Sequence, residues 1–188
     1  MRKQILEWKA EHVDFLRLLE LLELQISLFH EGATSNYDLM LDIVYYLTHF
    51  ADIFHHPRED VAIAKLAERD PAVRALIQRV LGEHKVIASA GRQLVEQLEA
   101  VLNGALLARE SIEAGAATYI TYYRHHMARE EMDLFPIVEK ALHPEDWKLV
   151  AAAIPSEQDP LFGKEVEERY RVLHKQIELA SGGGKVPS

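Results

Sequence analysis

Ten histidines stand among 188 residues, and four of them have a carboxylate four places later: His55/Glu59, His56/Asp60, His126/Glu130 and His174/Glu178. Residues four apart project from one face of a helix, so each pair presents an imidazole and a carboxylate one turn apart. His174/Glu178 reads as an exposed ion pair of the ordinary kind. His55-Glu59 and His126-Glu130 are separated by 71 residues, and two further histidines, His12 and His84, by 72. The chain therefore reads as a twofold repeat of one histidine followed by His-x-x-x-Glu. The surroundings repeat too: Glu11-His12 matches Glu83-His84, Glu59-Asp60 matches Glu130-Glu131, and Ile63 falls opposite Leu134. Four imidazoles and two carboxylates converging in an apolar interior cannot stay unpaired, because a buried charge without a partner is strongly unfavourable. A pair of metal ions resolves that cost. Mixed imidazole and carboxylate donors suit iron, manganese or zinc and disfavour calcium and magnesium. The chain has no cysteine, which excludes thiolate ligands, iron-sulfur clusters and disulfides.

The elements that must bring these residues together are helices, since the apolar spacing between the glycines and prolines is that of an all-α chain. A first helix carries the stripe Ile5, Trp8, His12, Phe15, Leu19, Leu22, Ile26 and Phe29, and ends in the turn Glu31-Gly32-Ala33-Thr34-Ser35-Asn36. A second runs from Tyr37 to about Glu68 with Pro57 inside it. That proline should kink the helix, at a cost of about 3 kcal/mol that something local must offset. A third starts at Asp70-Pro71 and stops near Asn103-Gly104, with His84 in the seam Ile77, Val80, Ile87, Gly91, Leu94, Leu98 and Val101. A fourth covers roughly Glu110 to Ala141. Four such helices with short turns form an up-down-up-down bundle over residues 1–142. A helical extension over 143–181 is expected to contain a short helix near Asp146 to Ala153 and another from about Leu161 to Ala180. The tail 182–188, rich in glycine, is expected to be disordered.

Twenty-one basic against thirty acidic residues give a net charge of −9, which argues against nucleic acid and anionic membranes as partners. There is no apolar run of about 18 residues and no signal-type apolar core after Met1-Arg2-Lys3-Gln4, so a cytoplasmic location is expected.

The order His-x-x-x-Glu differs from the Glu-x-x-His of ferritin-like di-iron bundles. The sequence instead resembles the bacterial hemerythrin-like family, also called HHE cation-binding proteins. The resemblance rests on His12, Phe54-His55-His56-Pro57-Arg58-Glu59-Asp60, Glu83-His84, and His125-His126-Met127-Ala128-Arg129-Glu130-Glu131 followed by Leu134-Phe135-Pro136, and covers roughly residues 3–141. It implies a four-helix bundle holding two non-heme iron ions with an oxo or hydroxo bridge, manganese or zinc being possible substitutes. The implied ligands are His12, His55, Glu59, His84, His126 and Glu130, with both glutamates bridging. Oxygen carriers of this kind have a second histidine one turn after the third-helix ligand, where this chain has Ala88. That departure leaves two coordination positions open and an accessible centre.

The implied task is binding of dioxygen, nitric oxide or peroxide for sensing, storage or detoxification. Two alternatives are a di-iron oxidoreductase or iron-donating repair protein, and an iron buffer or sensor without catalysis. A protein partner or self-association would serve any signalling output. Four more residues lie near the motif. His56 and His125 neighbour ligands in sequence but are turned about 100° from them on a regular helix, which suggests a supporting or surface place and leaves open an extra ligand. Tyr119 and Tyr122 lie on the stripe of His126, two turns and one turn before it, where they either pack or hydrogen-bond a molecule held on the metals.

Overall fold

A computed structural model describes residues 2–30, 35–153 and 158–182. Among these every regular element is helical. Helix α1 spans Arg2–His30. The second rod is one uninterrupted run of α2 (Tyr37–Tyr46), a π-helical stretch (Leu47–His55) and α3 (His56–Arg69). A 3-10 turn at Pro71–Val73 leads into α4 (Arg74–Leu102). The fourth rod joins α5 (Arg109–Arg129), a second π stretch (Glu130–Leu134) and α6 (Phe135–Ala141). Rod one packs on rods two and four, and rod three on rods two and four, which closes the expected up-down-up-down bundle. The helix starts follow capping chemistry: Asn36 Oδ1 accepts from the Leu39 amide at 3.0 Å, and Asp70 Oδ1 from the Ala72 amide at 3.0 Å. Residues 31–34 of the first turn and 183–188 of the expected disordered tail lie outside the described residues.

Both π stretches run into a proline at the second position of the next α-helix, Pro57 and Pro136. The amides of His56 and Phe135 reach back five residues, to the carbonyls of Ala51 and Glu130. A proline lacks the amide hydrogen and its ring crowds the carbonyl one turn back; widening the turn ahead of it relieves both problems. The disturbance expected at Pro57 therefore takes the form of a π stretch, and the same device recurs at Pro136.

The interior divides into two apolar clusters. One gathers Phe15, Leu22, Met40, Tyr46, Leu94 and Tyr123; the other gathers Ile5, Trp8, Ile63, Val80, Phe135 and Trp147. The repeated histidines and glutamates lie between them, His12 between Trp8 and Phe15 and His84 between Val80 and Ile87. A polar layer is thus sealed above and below by close-packed apolar side chains.

Helix α7 (Pro144–Ala153) packs on α3, and Asp146 ties it down by accepting from Arg69 Nε and Nη2 at 3.1 Å each. The last helix, α8 (Arg171–Gly182), packs on α1 and α2. It begins about ten residues later than expected. Asp159 intervenes: its Oδ1 accepts from the amides of Leu161 and Phe162 at 2.8 Å each, and its carbonyl from Gly163 at 3.0 Å. This side-chain turn competes with the helix for the same amides. Only glycine fits at 163, where a Cβ would sit 2.1 Å from the Asp159 carbonyl oxygen. The turn also presents Asp159 Oδ2 to the Tyr46 hydroxyl, which donates to it at 2.8 Å. No helix among the described residues is long and apolar enough to cross a membrane.

Candidate metal centre

The two halves of the sequence repeat meet in the polar layer as two groups of donor atoms, each compact enough to hold one metal ion. The first comprises His12, His55, Glu59 and Glu130; the second comprises His56, Glu59, His84 and His126. In the first, the Nε2 atoms of His12 and His55 face each other at 3.1 Å, and Glu59 Oε1 lies 3.3 Å from His55 Nε2. In the second, the His84 and His126 rings meet edge-on at 4.7 Å and His56 stacks on His84 at 4.4 Å.

The two glutamates run between the groups. Glu59 Oε1 faces His12 at 3.8 Å while its Oε2 faces His84 at 3.8 Å. Glu130 Oε1 lies 3.2 Å from His84 Nε2, and its Oε2 lies 3.5 Å from His12 Nε2 and 3.2 Å from His126 Nε2. All seven side chains are buried, yet both oxygens of Glu59, Oε2 of Glu130 and Nε2 of His126 have no hydrogen-bond partner. Orphaned lone pairs meeting from the second and fourth rods are what a cation site presents, because a buried polar atom otherwise finds a partner. Imidazole with carboxylate is a donor set for first-row transition ions.

An outer ring of carboxylates fixes the imidazoles. Nδ1 of His12 donates to Glu131 at 2.9 Å, Nδ1 of His84 to Asp60 at 2.8 Å, Nδ1 of His56 to Asp52 at 3.1 Å and Nδ1 of His126 to Glu83 at 3.4 Å; Nδ1 of His55 donates to Glu11. Each Nδ1 so occupied leaves Nε2 for the interior and sets the tautomer. The repeat shows through here. Glu11 is gripped by Arg58, whose Nη2 reaches both its oxygens at 2.7 Å, and Glu83 by Arg129 Nε at 2.8 Å. Each half of the sequence thereby orients a histidine of its own second helix through the residue just before its first histidine. The residue after each glutamate, Asp60 or Glu131, orients the first histidine of the opposite half.

Electrostatics in the layer follow from burial and mutual charge. Burial pushes His126 down to about 3 and His56 down to about 4, so both are neutral imidazoles with a lone pair to give. Burial also pulls on His55 and His84, but neighbouring carboxylates outweigh it: Glu59 and Glu11 hold His55 up at about 9, and Asp60 and Glu130 hold His84 up at about 10. Burial and the charge of Glu59 push Glu130 up; burial would raise Glu59 as well, but the surrounding histidines, His55 first, hold it well below the usual carboxylate range. Protons on His55 and His84 thus balance the carboxylates where cations would otherwise do so.

The six residues read from the repeat all lie in this cluster. His56 does too, in line with the extra-ligand alternative that the sequence left open beside a supporting or surface place: it is buried, and its Nδ1 is the one anchored on Asp52. Its counterpart in the other half is Met127, also buried. His125 and Tyr122 are exposed and line a surface cleft with Val86 and Arg129. Tyr119 is buried, and so is Tyr123, which the sequence reading passed over. A phenol three places before His126 shares its helical face as fully as one four places before, and that spacing was the available signal. Arg58 and Arg129 also escaped notice as clamps, although each precedes its glutamate by one residue in both halves.

No curated protein matches the chain. The sequence pattern of the hemerythrin HHE cation-binding domain matches residues 4–138, a span that runs from the first turns of α1 into α6 and contains every residue of the cluster and of its carboxylate ring. With that match over most of its length, and with its histidines and glutamates gathered from all four rods, the chain belongs to the hemerythrin HHE cation-binding domain family.

Proposed function

We propose that this protein holds two iron ions between its four rods and binds a small molecule such as dioxygen, nitric oxide or peroxide at one of them. Residues 1–142 are the metal-binding bundle in this reading, and the later helices buttress it. His12 and His55 hold one ion; His56, His84 and His126 hold the other; Glu59 and Glu130 serve both. When bound, the ions supply Lewis acidity and one-electron chemistry that no side chain of this chain possesses. Manganese or zinc would fit the same donors.

The observation that carries the reading is the unequal count of imidazoles on the two sides. The sequence lacks a second histidine on α4, with Ala88 in that place, and from this alone two coordination positions stand open. His56 supplies the missing imidazole from the second rod, stacked on His84. One open position then remains, on the ion held by His12 and His55. The residues there exclude water: Phe15 lies edge-on to His55 at 5.0 Å, and Phe135 stacks on His12 at 5.6 Å. A dry apolar wall favours a small neutral ligand over bulk solvent.

Purification without oxygen, elemental analysis and a visible spectrum before and after admitting oxygen test this directly. Two irons per chain with new ligand-to-metal bands that fade on removing oxygen are expected. Bands that never fade, with oxygen consumed over many cycles, would replace binding by turnover. Failure to hold stoichiometric metal would overturn the reading.

A further inference from the structure

Tyr123 and Tyr119 are fully buried, and neither hydroxyl has a hydrogen-bond partner. That is unusual for tyrosine, whose hydroxyl normally finds one when buried. The two rings meet edge-on at 5.5 Å on consecutive turns of α5. Tyr119 is let in by Gly91 on α4, where a Cβ would stand 3.1 Å from its ring and 2.5 Å from Thr48 Cγ2. Tyr123 is one turn closer to the centre. Its ring lies 5.9 Å from His56 and 6.1 Å from Phe15, which in turn lies against His55, so it touches one group of histidines directly and the other through Phe15. Burial drives its hydroxyl well above the usual phenol range, and Tyr119, Asp52, Glu59 and Glu130 all add to that rise. It stays a neutral donor, and three oxygens of Glu59 and Glu130 are themselves unpartnered. The buried layer beside Tyr123 thus holds an unpaired donor and unpaired acceptors that are not bonded to each other.

We infer that Tyr123 is a binding residue that donates a hydrogen bond to the outer atom of a small ligand held among these unpartnered groups. The inference rests on the two-ion reading above and deepens it by naming the group that recognises the ligand. The ligand chemistry it selects is a diatomic or linear molecule that would carry negative charge at its far end when bound, of which azide is a stable representative. Dioxygen or nitric oxide would fall in the same class. Tyr119 holds the Tyr123 ring in place edge-on and does not touch the ligand.

The test uses the full chain loaded with iron and oxidised, with azide as probe. Iron content is measured first, so a wild-type protein without two irons would overturn the two-ion reading and not the tyrosine alone. With two irons present, the azide stretch in the wild type shifts on transfer to deuterium oxide, as expected for a hydrogen-bonded ligand. In Tyr123→Phe at full iron content the shift disappears and the azide dissociation constant rises on the order of tenfold, the worth of one buried hydrogen bond. Tyr122→Phe, at an exposed position, binds azide as the wild type does. An absent deuterium shift in the wild type, a measurement that needs no variant to fold, overturns the inference. So does a Tyr123→Phe protein with two irons and unchanged azide affinity.

Discussion

The two halves of the candidate centre follow one repeated pattern, and their inward donors differ at one place. Glu11-His12 and Glu83-His84, Arg58-Glu59-Asp60 and Arg129-Glu130-Glu131 occupy equivalent positions, and each arginine clamps the carboxylate that steadies a histidine of its own half. After the second histidine the repeat breaks: His56 in the first half, Met127 in the second. His56 does not serve the histidine beside it. It crosses to His84 and His126, so the break in the first half of the sequence adds a third imidazole to the group of the second. Symmetric scaffolding with one asymmetric donor gives one group of three imidazoles and one of two, and under the proposed function the poorer group would be the one to take a ligand.

The comparison can be broken most severely at the residues the halves share. Glu59→Ala or Glu130→Ala removes a carboxylate that faces both groups, and metal content per chain is expected to fall from two toward none, with the melting temperature of the loaded protein falling to that of the metal-free one. A single-sided lesion is milder. His12→Ala and His126→Ala are each expected to leave one ion per chain by elemental analysis, on the opposite side. Smaller again are changes in the outer ring, where Glu11→Ala and Glu83→Ala should each weaken metal binding by about 10–100-fold on competition with a chelator, the usual effect of losing a histidine's orienting partner.

His56→Met sharpens the comparison by restoring the repeat. It should keep two ions per chain and take up two azides where the wild type takes one, measured by titrating the ligand-to-metal band. The smallest effect lies outside both halves. The Arg69 guanidinium beside Asp146, with the His143 amide, holds that carboxyl below its usual range, and a carboxyl so depressed contributes stability that is present at neutral pH and lost as pH falls through its folded value. Asp146→Asn should therefore lower the melting temperature slightly at neutral pH, lose that difference in acid, and leave metal content untouched.

Most of the bundle was legible because long amphipathic helices leave a period that tertiary packing does not override, and His12, His55, His84 and His126 sit on that period. The glutamates were legible because four residues is one turn. His56 was legible only as an alternative left open, for a specific reason. Its expected 100° offset from His55 assumes a regular helix, whereas a π stretch ends at His55 and adds a residue to the turn that carries it. Pro57 was the visible warning, read as a disturbance without its direction. Tyr122 was expected near the centre and Tyr123 takes that place, because the rule of three and four admits both and only packing chooses. The late start of α8 turned on Asp159, whose side chain outcompeted an otherwise plausible helix.

In the proposed centre two ions would share Glu59 and Glu130, with imidazoles divided three to two. Crystals of the iron-loaded protein measured at the iron absorption edge test this most directly. Two anomalous peaks are expected, one bordered by His12 and His55 and the other by His56, His84 and His126. A single peak, or two peaks with His56 turned away from both, would contradict it.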